Sequence, residues 1–65
     1  MAREMIKDIH NRVIGFIEDN NGNQIAYDFH NKILGFYEKN SNLTYDFHRK
    51  MLGHGNLLMG LIYKG

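Results

Sequence analysis

The chain has no cysteine, no proline and no tryptophan among its 65 residues. Without cysteine there is no disulfide and no thiolate to act as nucleophile or metal ligand, and such a composition fits a reducing compartment. Without proline, no position forbids ladder hydrogen bonding, so strands can run uninterrupted. A dominant charge is missing as well: the net charge is +1 with the histidines neutral, whereas a dedicated nucleic-acid binder carries a concentrated basic face. Long apolar runs are absent. The longest, Leu57 to Tyr63, is far too short to span a bilayer. The opening residues MAREMIKD place charge where a signal peptide needs an apolar core. The expectation is a soluble, cytoplasmic protein.

Serine is nearly absent too. Ser41 is the only one, and its asparagine-rich surroundings lack the strand-to-helix context of a nucleophile elbow. Glu18 and Glu38 occupy equivalent positions of a repeat and read as solvated strand ends, not as an acid–base pair. The chain is therefore expected to be neither an enzyme nor the holder of a cofactor.

What is present is an ordinary globular composition, 43% hydrophobic and 23% charged, which argues against disorder. A chain of this size buries only about 60% of its unfolded surface on folding. Small folds offset that deficit with disulfides, metals or oligomerisation, and the first of these is excluded.

The sequence repeats. Asp8–Asn20 (DIHNRVIGFIEDN) and Asp28–Asn40 (DFHNKILGFYEKN) agree at seven of thirteen positions, and Ile25–Gly35 and Leu43–Gly53 agree at seven of eleven. The units span approximately 5–24, 25–42 and 43–56, followed by an apolar C-terminal segment, 57–65, within a single domain 1–65. Successive copies are offset by 20 and then 18 residues, a difference that falls between Glu18 and Ile25 on one side and Glu38 and Leu43 on the other. Loops absorb such length changes and strands do not.

Each unit holds two strand-like runs, exemplified by Ile25–Phe29 and Ile33–Tyr37, separated by Asp-x-His-Asn-basic. A three-residue hairpin loop needs a left-handed residue at its end, and Asn11 and Asn31 suit that slot, whereas Arg49 suits it poorly. Asp8, Asp28 and Asp46 open the turns, where a carboxylate can accept the turn's own N–H groups. A two-residue loop centred on His-Asn is the alternative, and it shifts the register by one. Between units, Asn20-Asn21-Gly22-Asn23 carries the Asn-Gly pair of a type I′ turn, and Asn40-Ser41-Asn42 is a shorter equivalent. The fold class that follows is all-β: an antiparallel meander of tandem hairpins with about six short strands.

The segments Tyr27-Asp28-Phe29-His30-Asn31-Lys32-Ile33 and Tyr45-Asp46-Phe47-His48-Arg49-Lys50-Met51 resemble the Tyr-Asp-x-x-Gly-basic-apolar core of YD-type β-hairpin repeats, with Asn31 and Arg49 standing where that pattern has glycine. In large bacterial surface and toxin-delivery proteins such repeats build extended β-shells. The resemblance implies hairpin architecture; it transfers no activity.

These strands do not alternate cleanly. Arg12–Ile17 and Ile33–Tyr37 place large apolar residues on both faces of the sheet. Burying one such side chain is worth roughly 1.5–3 kcal/mol, so a bare face would forfeit stability comparable to that of the whole fold. The sheet must roll up or pack against another subunit, and association, a homo-oligomer, is the expectation. Gly15, Gly35 and Gly53 recur at one point of the repeat, where a neighbouring Tyr or Phe ring is expected to fill the gap. In the C-terminal segment Asn56 can cap a short helix whose Leu57, Leu58, Leu61 and Ile62 form one stripe; a final strand is the rival. That stripe is a candidate lid on the sheet or an oligomer interface.

Asp-x-His occurs three times, and stacked turns would set His10, His30 and His48 in a row, a candidate divalent-metal set backed by carboxylates. Equivalent turns two strand spacings apart lie roughly ten ångströms from one another, too far for ligands of one ion without strong curvature. Tyr and Phe beside Arg12, Lys32 and Lys50 offer a stacking platform for single-stranded nucleic acid, but rings in the core, with each basic residue paired to a turn aspartate, account for the same residues. The function expected is a non-enzymatic structural or protein-interaction module acting as a homo-oligomer, with ligand or metal binding through the turn histidines as the alternative.

Overall fold

The computed structural model describes residues 2–64; Met1 and Gly65, the ends of the domain and of the C-terminal segment, lie outside the described residues. Six strands, β1 (Ala2–Lys7), β2 (Val13–Asn20), β3 (Asn23–Asp28), β4 (Ile33–Glu38), β5 (Leu43–Asp46) and β6 (Met51–His54), are followed by one helix, α1 (Leu58–Lys64). Every strand pairs antiparallel with its sequence neighbours, giving a meander in the order β1 to β6.

The aspartates build the turns. In the first hairpin the Asp8 carboxylate accepts the backbone N–H groups of His10 (2.9 Å) and Arg12 (3.0 Å). The Asp8 backbone closes the loop by accepting from Asn11 N–H and donating to Arg12 C=O. The second and third hairpins repeat this network at Asp28 and Asp46. The loop is thus the three-residue form, ending in a left-handed residue: Asn11 at φ 64°, Asn31 at 70° and Arg49 at 64°. Arg49 adopts this conformation against its own preference because four hydrogen bonds anchored on Asp46 hold the loop around it.

Between units, Asn21 (φ 58°) and Gly22 (φ 92°) form the two-residue turn, and the strands beside it gain two extra rungs, Asp19↔Gln24 and Asn20↔Asn23. The shorter connection leaves Glu38↔Leu43 directly into a four-residue loop. The offset of 20 versus 18 is therefore not wholly a matter of loop length, because part of it is absorbed as paired strand.

Each hairpin also carries a register shift at the same place, between Ile6 and Lys7, Ala26 and Tyr27, and Thr44 and Tyr45. One residue of the partner strand is left over each time: Ile14, Leu34 or Leu52. Such a bulge increases the local twist and re-aims side chains. Ile14 and Leu34 accordingly pack on the core. The apolar doublets Val13-Ile14 and Ile33-Leu34 are the sequence mark of these bulges.

Gly55 (φ 81°) turns the chain away from β6, and α1 lies back across β2, β3 and β4. Two side chains start the helix. Thr44, fully buried, donates its hydroxyl to Gly55 C=O (2.6 Å) and accepts Leu57 N–H (3.0 Å). Asn56 accepts Leu58 N–H (3.1 Å), which satisfies a donor that has no partner inside the helix. A seven-residue helix is marginal alone; it persists because Leu58 and Ile62 join Ile6, Ile17 and Ala26 in the core.

The repeat glycines form the bed for this helix. The side of Gly15 facing α1 is occupied by Ile62, that of Gly35 by Leu61 and that of Gly53 by Leu57. The gaps are filled by aliphatic residues of α1 and by Leu57 just before it, not by the Tyr or Phe rings expected, because the chain's return path brings this segment over them. For the same reason the stripe cannot serve whole as an oligomer interface. Leu58 is 0% and Ile62 2% exposed, and Leu61 packs on the same core. Of the four candidates, Leu57 alone remains exposed. Among the described residues no helix is long and apolar enough to cross a membrane.

Candidate functional site

The helix covers one face of the sheet and leaves the other open. Paired residues of antiparallel strands share a face, so the register defines what the open face carries. One row runs Met5, Phe16, Tyr27, Ile33 across β1 to β4. A second runs Ile25, Phe36, Tyr45, Met51 across β3 to β6. Phe16, Ile25, Tyr27, Phe36 and Tyr45 are half-buried by one another, whereas Met51 stays 55% and Ile33 37% exposed. These rings are therefore not core, as one reading of the sequence had it. They make an apolar surface open to solvent on its outer side.

Two arginines lie on this surface. The Arg3 guanidinium sits over Tyr27 (4.6 Å to the ring centroid) and Phe16 (5.4 Å), held by a hydrogen bond to Asn31 Oδ1 (2.8 Å) and an ion pair with Glu18 (3.5 Å). Arg49 lies over Phe36 at 4.7 Å. Desolvated cation–π contacts of this kind are worth up to ~2 kcal/mol and exposed ones less. Among the described residues the Arg49 guanidinium has no ion-pair or side-chain hydrogen-bond partner. Below it the twisted sheet forms a hollow of about 380 Å³, bordered by Asn20, Ile25, Phe36, Glu38, Tyr45 and Arg49.

The turn residues sit at one end of the sheet. Asp8, Asp28 and Asp46 spend their carboxylates on backbone N–H groups. The Asp8 carboxyl is held below the usual range, first by the Arg12 backbone N–H and then by the His10 N–H and the Arg12 guanidinium, with partial desolvation opposing. At the opposite end Asp19 is lowered by Gly22 N–H and the Gln24 amide. Arg12 pairs with Asp8 at 3.3 Å; Lys32 and Lys50 form no such pair among the described residues.

His10, His30 and His48 are exposed at the turn tips. His30 stacks on Phe29 and His48 on Phe47, each at 3.9 Å between ring centroids, while His10 follows Ile9, which is 95% exposed. Among the described residues no three His, Asp or Glu side chains are grouped to hold a metal ion. The reason is spacing: a meander puts a whole hairpin between equivalent turns, and this sheet does not curl enough to bring them together. Ser41 donates its hydroxyl to the Glu38 carboxylate (3.0 Å) across the loop.

The open face was only partly legible in advance. Two apolar faces were expected, but Arg3 and Arg49 were not singled out. The Arg49 signal was its departure from the Asn of the other two copies. No family model, curated protein or solved structure matches the chain.

Proposed function

We propose that this chain is a non-enzymatic structural or interaction module that self-associates through the open face of its sheet, with the cytoplasm as its expected place of work. One observation carries the reading: α1 covers a single face, and the other presents two cross-strand rows of large apolar side chains to water. Contiguous apolar surface of this kind marks an interaction site on a soluble fold. The same surface supplies the burial that so short a chain lacks on its own. Sheets pack face to face about 10 Å apart with their inner side chains interleaved, and a bare sheet face is suited to that arrangement.

Light scattering at micromolar concentration is expected to give a mass at least twice 7.6 kDa. Met5→Lys, on the open face, should bring the mass down to that of one chain. Met59→Lys, on the exposed side of α1, should not. A wild type that stays monomeric through high micromolar concentration overturns the reading.

A further inference from the structure

Of the chain's asparagines only Asn21 precedes a glycine. An asparagine side chain is open to attack by the backbone nitrogen of the residue that follows it. In that reaction the Gly22 nitrogen forms a bond to Asn21 Cγ and the Cγ–Nδ2 bond breaks. Ammonia leaves with the proton that the Gly22 nitrogen gives up. Solvent water then opens the five-membered imide to aspartate or isoaspartate, and no oxidant or further reactant is needed. A glycine in the following position leaves the attacking nitrogen least hindered, having no side chain and the widest backbone freedom. Asn11 and Asn31 are followed instead by the bulky Arg12 and Lys32. Asn21 is exposed, at the tip of the turn between the first two units.

We infer that Asn21 is a site of spontaneous deamidation and that the Asp19 carboxylate is the latch that slows it. The attacking group, Gly22 N–H, donates to Asp19 Oδ1 at 3.0 Å. Asp19 Oδ2 accepts the Gln24 side-chain amide at 3.2 Å, which fixes the carboxylate from its other side. The aliphatic stem of Lys39, just past the end of β4, lies against Gly22. Attack requires the Gly22 nitrogen to shed its proton. A negative charge at hydrogen-bond distance opposes that loss, and the bond holds the Asn21–Gly22 peptide plane in one orientation.

Conversion acts on the joint between the first two units. The turn is closed by the pairs Asn20↔Asn23 and Asp19↔Gln24, and Asn23 Oδ1 also accepts Lys39 N–H at 2.9 Å, tying it to the next inter-unit loop. Isoaspartate carries the main chain through its side-chain carbon. It therefore adds one backbone atom to a two-residue loop, whose length fixes the register of the strands it joins. Aspartate leaves the backbone unchanged but places a second carboxylate in the turn that already holds Asp19. The shorter inter-unit loop has no counterpart, since Asn40 precedes Ser41 and Asn42 precedes Leu43. The chemistry is thus confined to one joint of the repeat.

The test incubates the full chain at mildly alkaline pH, folded and also unfolded in urea, and follows Asn21 by peptide mass spectrometry. Circular dichroism gives the folded fraction of each variant. In the folded wild type Asn21 should convert at least about tenfold more slowly than in the unfolded chain, a factor within reach of one hydrogen bond to a charged group. Asp19→Ala should remove most of that protection while the chain stays folded. Asp19→Asn, whose amide oxygen can still accept Gly22 N–H without the charge, should fall between. Thr44→Val, which weakens the fold away from this turn, should leave the rate as in wild type. A folded wild type that converts as fast as the unfolded chain, or an Asp19→Ala variant no faster than wild type, overturns the latch. Equal acceleration by Thr44→Val overturns it too, because overall stability would then set the rate. An unfolded chain that does not convert at Asn21 removes the site itself.

Discussion

The glycine bed beneath α1 makes a graded prediction, because the four positions differ in what an added methyl group meets. At Gly35 a Cβ would lie 2.6 Å from both Leu61 Cδ1 and the Tyr45 carbonyl oxygen. The carbonyl belongs to a neighbouring strand and cannot swing away, so the sheet or the helix must move. Overpacking of this sort costs about 1–3 kcal/mol. The obstruction is backbone, so Gly35→Ala should fall in the upper half of that range. Gly15→Ala meets the Tyr27 carbonyl and Ile62 and should behave alike. At Gly53 the nearest atom is the flexible end of Leu57, 3.1 Å away; Leu57 is exposed and can turn aside, so the loss should stay below ~1 kcal/mol. Gly60, in the helix, has nothing within 4 Å, and there Ala should stabilise by ~1 kcal/mol through helix propensity. Urea denaturation followed by far-ultraviolet circular dichroism at one fixed protein concentration measures all four. Equal effects at Gly35 and Gly53, or a Gly35→Ala variant as stable as wild type, would refute the proposition that these glycines exist to seat the helix.

Two further tests probe the polar framework. Thr44→Val keeps the shape of a fully buried side chain but strands Gly55 C=O and Leu57 N–H; leaving such groups unsatisfied costs about 1–3 kcal/mol, so a loss near 2 kcal/mol in the same denaturation assay is expected, and a change under 0.5 kcal/mol would show that water serves them equally well. The lowered carboxyls of Asp8 and Asp19 set the acid response. A folded pKa below the unfolded value of ~3.9 contributes stability that is complete above that value and disappears as pH falls through the folded one. The wild type should therefore lose stability steadily below about pH 4, whereas Asp8→Asn combined with Asp19→Asn should show a shallower decline, and superimposable pH–stability curves would contradict the assignment.

How much of this could be read from the chain follows from which interactions are local. The hairpins were legible because an aspartate and the residues two and four positions on close each turn by themselves, whatever lies elsewhere. The helix start was legible for the same reason: Asn56 caps within two residues of itself. Arg49 was misjudged as a poor occupant of the left-handed site because residue preference was weighed without the Asp46 network, which holds the loop irrespective of its third residue. The fate of Leu58 and Ile62 was open, since lid and interface ask for the same apolar stripe. Only the position of the return crossing, fixed by Gly55 and Thr44, decides between them. The bulges were hidden for a different reason. Two consecutive apolar residues read as a strand with two buried faces, and they read identically when one of them is an extra residue turned towards the helix.

That ambiguity bears on the open face. With Ile14 and Leu34 assigned to the helix side by the bulges, the strands are less two-faced than their composition suggests, and the residual apolar surface is concentrated in the rows containing Phe16, Tyr27, Phe36 and Tyr45. Those rows are a product of the repeat: each Phe–Tyr pair joins the second strand of one unit to the first strand of the next. A repeat that simply continued would place another such pair at each outer edge. Here the edges carry Lys7 and His54 instead, while the interior pairs keep their rings and each acquires an arginine from outside the pattern, Arg3 on one and Arg49 on the other. Polar replacement is thus confined to the positions where strand addition would occur and is absent where face-to-face packing would occur. Blunted edges combined with a retained aromatic face therefore favour, within the self-association proposed above, contact through the face over strand addition at the edges.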